Sequence, residues 1–375
     1  MNIIQFVRRI KKASKDPERK KSINIFSEYL RFKLFNPSVA EQYFHKRLYR
    51  KSVSNPGDYL LTHDLQKMIW YFNDMNYYSI FDDKILTEDF FNQFKLPIVK
   101  SFAYNKNTLF FKENQLRQVH NPVQLLKFLE ELKNTVGSER DELIIKPIRA
   151  HAGRGISKES IEELQHNNLS LEKLFQKVIS SDYLYQEVLE QHPELDKINP
   201  SSLNTIRVDT FVNRQGTPHI LSMRLRCSAG TSFLDNISNG GLFIGIDSEE
   251  GTLHDEGFND FSKFSGRAYT EHPYTGIRFG GFKIPFFEEV KKLSTDAAKL
   301  LPGAKVVAWD IAVQPQGPII VEGNYFPGLL NSEIVQKGFR NSPVFLEILE
   351  ELNSPDQEKL VRQKIKTLIF NRDKI

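Results

Sequence analysis

Val306–Gly328, VVAWDIAVQPQGPIIVEGNYFPG, is the stretch on which the reading of this chain turns. Val307, Trp309, Ile311 and Val313 alternate with Ala308, Asp310 and Ala312, the period-2 pattern of a strand with one greasy face. Ile319–Val321 is a returning apolar, β-branched run, and Pro315-Gln316-Gly317 between the two is turn chemistry. A three-residue hairpin loop makes a type I turn and then a left-handed residue best filled by glycine. With Pro315–Gly317 as that loop, Gln314 lies opposite Pro318 and Asp310 opposite Glu322. Asn324, two positions on, shares their face. The other face, Val307, Trp309, Ile311, Val313, Ile319 and Val321, is the expected core. Two carboxylates at that spacing repel, and their burial is costly unless something cationic sits between them. Oxygen ligands on a rigid hairpin suit Mg2+, which keeps waters and takes its remaining ligands from phosphates. A solvated polar face with the acids paired to Lys or Arg is the alternative, and the hairpin alone leaves both open.

The chain has 375 residues, enough for two or three packed lobes, and its 40% hydrophobic and 26% charged content is that of an ordinary soluble globular protein. A net charge of +4 excludes a general polyanion binder, so no nucleic-acid partner is expected. Basic residues cluster locally: Arg8, Arg9, Lys11, Lys12, Lys15, Arg19, Lys20 and Lys21. Such a cluster is a solvated helix, or it rests on an anionic membrane or a partner. Cys227 is the only cysteine, so an internal disulfide and a multi-cysteine zinc site are excluded, which fits a reducing, cytoplasmic setting. Met1–Phe6 is too short for a signal h-region, and no apolar run approaches the length of a membrane span.

In order, residues 1 to about 75 read as helical. Phe26, Tyr29, Phe32 and Phe35 recur at three-residue steps that keep their rings near one side of a helix, and Leu60–Phe72 is a further helix. This segment has aromatic surface and no convergent polar cluster, so packing or partner contact is its expected role. An amphipathic helix with Phe90, Phe91 and Phe94 inward follows, with Lys84 at its start beside Asp82 and Asp83, and Leu96–Val99 is then extended. After a helix at about Pro122–Lys133, Leu143–Ile145 is a buried strand ending on Lys146. In the loop that follows, Gly153 and Gly155 permit close backbone approach, and its N–H groups beside a lysine suit phosphates. It is neither a Walker A loop nor a dinucleotide fingerprint, since neither a Gly-Lys-Ser/Thr nor a third spaced glycine is present. Ser160–Ile179 is one or two helices. Tyr183–Glu190 is a strand that either offers Gln186 and Val188 backbone groups to an adenine edge or is an ordinary edge strand. Ile206, Val208, Thr210 and Val212 share a strand face, with Arg207 and Asp209 on the other; Ile220–Cys227 returns with Arg224 and Arg226 on the face of Ser222. Planar guanidiniums there match a carboxylate or phosphate bidentately. Gly240-Gly241 marks a tight approach before strand Leu242–Ile246, a helix covers Phe286–Leu301, and the tail from Asn341 reads as helical.

That order of features resembles the ATP-grasp superfamily, most closely its sugar-transfer-associated branch. The residues that carry the resemblance are Ile145-Lys-Pro with Gly153-Arg-Gly-Ile, Gln186-Glu187 and Ser202-Leu-Asn-Thr-Ile-Arg-Val. Asp235-Asn-Ile with Gly240-Gly241, and Trp309-Asp-Ile-Ala with Glu322-Gly-Asn and Pro327-Gly328, complete it. It spans roughly Phe81 to Leu330. The resemblance implies an α+β ATP-grasp fold, two α/β lobes with antiparallel sheets clasping ATP, plus an N-terminal helical region. The expected divisions are 1–75 helical, 76–188 a smaller lobe with the lysines and glycine loop, 189–340 a larger lobe with the metal hairpin, and 341–375 C-terminal helices.

By the same resemblance, Lys146 holds the α- and β-phosphates of ATP, Lys84 is a second phosphate contact, and the loop Gly153, Arg154, Gly155 closes over them. Gln186, Glu187 and Val188 line the adenine site, and Glu194 binds ribose hydroxyls. Asp310, Glu322 and Asn324 hold one or two Mg2+, with Mn2+ as an alternative ion. Arg207 and Arg226 stabilise the transferred phosphoryl group and the tetrahedral intermediate, in either assignment. His151 departs from the smaller residues more common in that loop. The implied activity is carboxylate–amine ligation through an acyl phosphate, in cell-surface polysaccharide or sugar-conjugate biosynthesis, with a sugar acid and an amino acid or amino sugar as substrates. Two other readings share these residues: a kinase-like phosphotransferase acting on a sugar or other small molecule, and a non-catalytic nucleotide-binding scaffold of a glycan assembly complex.

Overall fold

The computed structural model of the chain describes residues 3–35, 37–136, 141–150, 153–264, 266–340 and 342–352. The described residues of Met1–Tyr77, Gln191–Pro318 and Asn324–Ile375 form one compact unit, and those of Tyr78–Glu190 with Ile319–Gly323 form a second.

The first unit begins with helices α1 (Ile3–Ala13), α2 (Ser22–Phe35), α3 (Pro37–Gln42) and α4 (Thr62–Phe72). On α2 the four-ring stripe does not hold: Tyr29 and Phe32 are buried, but Phe26 is 49% and Phe35 73% exposed. Each three-residue step falls about 60° short of a full turn, so nine residues carry Phe35 about half a turn away from Phe26. Tyr29 and Phe32 instead join Ile25, Tyr43, Phe44 and Tyr49 in an aromatic cluster that also takes in Phe261.

The second unit runs α5 (Tyr78–Asp82), α6 (Lys84–Gln93), β1 (Ser101–Lys106), β2 (Leu109–Lys112), β3 (Gln115–Gln118), α7 (Pro122–Val136), β4 (Glu142–Pro147), β5 (Ser157–Ser160), α8 (Ile161–His166), α9 (Asn168–Ile179) and β6 (Asp182–Glu187). Its sheet has the order β3-β2-β1-β6-β4-β5, with antiparallel neighbours. Leu125, Phe128, Leu129 and Leu132 recur at helical spacing on α7 and pack with Leu171, Leu174 and Phe175 of α9 over Phe110, Ile145 and Tyr185. Each of these fully buried side chains is worth roughly 1.5–3 kcal/mol. β6 lies inside this sheet between β1 and β4, so it is not an edge strand. Of the three inward phenylalanines expected near α6, Phe91 is fully buried, while Phe94 is 48% exposed and packs on Phe90 (ring centroids 5.2 Å).

The first unit resumes with α10 (Pro193–Ile198), β7 (Thr205–Val212), β8 (Pro218–Cys227), β9 (Leu242–Ile246), β10 (Leu253–Phe258), β11 (Ala268–Tyr269), α11 (Phe287–Lys299) and β12 (Val306–Gln314); β13 (Gly317–Asn324) has its middle, Ile319–Gly323, in the second unit; and the first ends with α12 (Leu330–Val335) and α13 (Pro343–Leu352). The second sheet has the order β11-β10-β9-β8-β7-β12-β13. Mixed helices and antiparallel sheets make the fold α+β, as expected. Asn341 and residues 353–375 lie outside the described residues, so the helical reading of the tail is met only by α13.

The opening hairpin exists, but its faces differ from expectation. Every residue from Val306 to Val313 is buried, so the Asp310 face is not open to solvent. Val306, on that face by period 2, packs with Phe72 of α4 and with Phe345 and Ile348 of α13. On β13 it is Ile320 that is fully buried, while Ile319 and Val321 are half-buried. The cause is the extended segment Leu96–Val99: Val99 N donates to Ile320 O (3.0 Å), and Ile320 N donates to Pro97 O (2.9 Å). The strands also run closer together than expected, leaving Pro315 and Gln316 as the loop.

Candidate functional site

Two groups of polar side chains, one in each unit, contain most of the residues singled out above. In the second unit the centre is Lys146 on β4, which is only 5% exposed. It follows Ile145 in a strand whose pairing with Leu184 on β6 sets its position. No hydrogen bond to its Nζ is found among the described residues. Its neighbours are Lys84, Glu88 and Glu322. Burial, and next the repulsion of Lys84, push the Lys146 ammonium down to about 8, against a smaller upward pull from Glu322 and Glu88.

Lys84 and Glu88 are four residues apart and so share one face of α6. That helix starts where it does because Asp83 caps it, accepting from Ile85 N (3.1 Å) and Leu86 N (3.3 Å). Asp83 also pairs with Arg149 (3.0 Å). Lys84 Nζ donates to Ile148 O (3.2 Å) and Ala150 O (3.0 Å), which ties it to the chain leaving β4. Burial lowers the Lys84 pKa as well, opposed by Glu322. Glu88 accepts Ser101 N through both oxygens (2.9 Å each), and burial raises its pKa. Ser101 Oγ in turn accepts from Gln186 Nε2 (3.1 Å). A buried and a half-buried ammonium group as neighbours, the buried one without a hydrogen-bond acceptor among the described residues, make a place that favours a polyanion.

Past Lys146 the chain turns through Gly153, Arg154 and Gly155 into β5, so the glycine loop is the bend of an antiparallel hairpin. Both glycines take positive φ, +68° and +76°, and a Cβ on Gly155 would come within 2.8 Å of Pro147 Cγ. His151 lies outside the described residues. Gln186 is buried in β6, Glu187 ends that strand, and Val188 follows it half-buried. Glu194 belongs to the first unit, on α10, where it is exposed and paired with Lys197 (2.7 Å).

In the first unit, strand register brings Asp310 of β12 opposite Arg207 of β7, and Thr205 of β7 opposite Arg226 of β8. Asp310 Oδ1 forms ion pairs with Arg207, at 2.6 Å from its Nε, and with Arg226, at 2.9 Å from its Nη1. Arg226 also reaches Asp235 Oδ1 (2.9 Å) and Asn236 Oδ1 (3.1 Å), while Thr205 donates to Asp235. No partner for either terminal nitrogen of Arg207 is found among the described residues. Asp235 is held in place by a backbone packed around Gly241, where a Cβ would meet Asp235 O at 2.5 Å. Beside this group, Arg224 binds Asp209 Oδ2 (2.6 Å), which also accepts from Ser222 and Ser332. That second cluster is closed on itself and reads as structure.

Asn324 Nδ2 lies 3.4 Å from both Ala308 O and Asp310 Oδ2, which puts Asn324 on the Asp310 face. Asp310 and Asn324 bring a carboxylate and a carboxamide together, hard oxygens of the kind Mg2+ takes; Glu322 lies on the part of β13 that belongs to the second unit. Residues that sequence reasoning passed over are Glu88, Ser101, Thr205, Asp235 and Asn236 as site members, and Asp209 with Ser332 as the partners of Arg224. Glu88 carried a readable signal, its four-residue offset from Lys84; Ser101 and Ser332 carried none.

A family model described as sugar-transfer associated ATP-grasp matches residues 65–343. Comparison with curated protein sequences finds no match. Among solved structures the chain is similar to D-cycloserine synthetase DcsG, with 12% identity over 75% of this chain and 73% of that chain and a TM-score of 0.43. It is also similar to D-alanine–D-alanine ligase from Bacillus anthracis, with 14% identity, 78% and 75% coverage and a TM-score of 0.42. For D-alanyl-alanine synthetase A from Vibrio cholerae O1 the values are 13%, 78%, 66% and 0.39.

Proposed function

The chain belongs to the sugar-transfer-associated ATP-grasp family, and from that premise we propose that it is an ATP-dependent ligase joining a carboxylate to an amine through an acyl phosphate. The observation that carries this reading is Lys146: a buried ammonium beside a second one, with no hydrogen-bond acceptor found among the described residues. Nucleotide phosphates complete it. Lys146 takes the α- and β-phosphates, Lys84 is a further phosphate contact, and the backbone of Gly153, Arg154 and Gly155 closes over them. Gln186, Glu187 and Val188 line the adenine, and Glu194 takes ribose hydroxyls. Asp310, Glu322 and Asn324 would hold Mg2+, or Mn2+ in its place, which when bound supplies charge neutralisation at the phosphate oxygens.

In the reaction, a substrate carboxylate oxygen attacks the γ-phosphorus and ADP leaves. An amine then attacks the acyl carbon, and inorganic phosphate leaves as the amide forms. Arg207 is the guanidinium that meets the transferred phosphoryl group, because Asp310 engages only its Nε. Arg226, gripped by Asp310, Asp235 and Asn236, positions Asp310. Exclusion of water protects the acyl phosphate from hydrolysis. A sugar acid and an amino acid or amino sugar are the proposed substrates, with the product entering cell-surface polysaccharide or sugar-conjugate assembly in the cytoplasm.

The test is an ADP-release screen of the purified chain, crossing sugar acids with amino acids and amino sugars, with mass analysis of products. An amide appearing together with free phosphate supports the ligase. A stable phosphorylated product would instead make the chain a phosphotransferase, and ATP binding without turnover across the panel would make it a scaffold.

A further inference from the structure

Helix α2 has two apolar faces, and only one of them is used. Ile25, Tyr29 and Phe32 are buried. Ile23, Phe26, Leu30 and Leu34 are 68%, 49%, 42% and 69% exposed. They step by three, four and four residues, which confines them to a stripe about 80° wide along the helix. Phe6 of α1 packs on Phe26 and Tyr29, with ring centroids 6.0 and 4.5 Å apart, so α1 runs beside the stripe. It carries Ile4 and Val7, 64% and 58% exposed. An open apolar surface of this extent on paired helices marks an interaction site.

The rim identifies the partner. Residues 1–35 carry ten Lys and Arg against three acids, a net +7, whereas the whole chain carries +4. The positive charge is therefore concentrated here, and the remainder of the chain is net negative. Arg8, Lys11, Lys15, Lys21, Arg31 and Lys33 are exposed. Of the acids, Asp16 is buried against Arg50 (3.0 Å) and Glu28 is held by Lys20 (2.8 Å), which leaves Glu18 as the exposed acid against six exposed basic residues. A second copy would bring an equally basic rim against this one. Residues 353–375 would as well, with six basic residues to three acids. No helix among the described residues is long and apolar enough to cross a membrane.

We propose that the α1–α2 face docks on the surface of an anionic lipid bilayer, with Ile23, Phe26, Leu30 and Leu34 entering the headgroup–acyl boundary and the basic rim meeting lipid phosphates. The proposal stands apart from the ligase reading and does not need it.

The experiment is co-sedimentation of the full chain with vesicles of phosphatidylcholine alone or with a quarter of phosphatidylglycerol. Binding is expected to the anionic vesicles, at least roughly tenfold above neutral ones, and to fall as salt rises from about 0.05 to about 0.5 M. Each basic side chain near an anionic surface is worth roughly fivefold in partitioning, so Arg31→Glu with Lys33→Glu should cost at least about 25-fold. Ile23→Ser with Leu34→Ser should cost roughly tenfold or more by removing inserted apolar surface. All four positions are exposed, so unchanged circular dichroism and thermal midpoint are expected. Equal binding to both vesicle types, no binding to either, or a self-association abolished by Ile23→Ser with Leu34→Ser would each overturn the proposal. So would capture of an acidic protein partner by a chain that ignores vesicles.

Discussion

Replacing Lys146 with Met should make the ligand-free protein more stable and its nucleotide binding worse. An ordinary lysine titrates near 10.5, and in the folded chain Lys146 is pushed down to about 8. At 1.36 kcal/mol per unit the charged form costs the fold about 3 kcal/mol. Because the folded pKa lies below the unfolded one, the cost is fully present below pH 8, where both states hold the proton. It shrinks between pH 8 and 10.5, as the folded state gives up its proton first, and is gone above that. Lys146→Met should therefore gain up to about 3 kcal/mol at pH 7 and progressively less toward pH 10. Urea titrations at both pH values, followed by far-UV circular dichroism, measure the difference. The same titration weakens ATP binding by the unsubstituted chain about tenfold between pH 7 and pH 9, since about nine-tenths of Lys146 has lost its proton at the upper value. Calorimetric titration of ATP should show that slope and show it missing in Lys146→Met, which binds weakly throughout. A variant less stable at pH 7, a gain that does not change with pH, or undiminished ATP affinity would refute the reasoning.

Other substitutions probe the remaining parts. Glu322→Gln should lower Mg2+-dependent ADP release by about 100-fold or more while leaving the melting midpoint within a few degrees; intact activity would remove Glu322 from the metal set. Gly155→Ala places a Cβ within 2.8 Å of Pro147 Cγ at a φ of +76°, and should raise the KM for ATP with about 1–2 kcal/mol lost in stability, both readable from steady-state rates and thermal melts. Lys46 is buried with Glu333, and both also engage Leu60. Lys46→Met should cost about 3–5 kcal/mol by stranding the Glu333 carboxylate, seen in urea unfolding, with Lys46→Met and Glu333→Leu together recovering most of it.

Local pattern was enough for much of this protein. Alternation in Val307–Val313 and in Ile206–Val212, the glycines after Lys146, and the 3.6-residue spacing of α7 each depend on neighbours in the chain, and such signals survive without a fold. The motifs of Lys146, Asp310, Glu322 and Asn324 are of that kind, and with them the family was legible. What lay beyond reach depends on partners distant in sequence. Asp310 meets Arg207 and Arg226 only because β12 pairs with β7, and β7 with β8, in one particular register. Period 2 told that these side chains lie on a common type of face; it did not tell that α4, α12 and α13 cover that side of the sheet, and that cover is what buries a face whose exposure the pattern left open. Ile320 is buried rather than Ile319 and Val321 because Pro97 and Val99 pair with it. In the same way α2 spelled out two apolar stripes, and packing against Tyr43 and Phe44 chose which one became core. The hairpin of Val306–Gly328 was written locally; the charges its Asp310 answers to, and the depression of the Lys146 pKa, came from tertiary burial, which removes water from groups whose own sequence neighbourhood would have left them solvated.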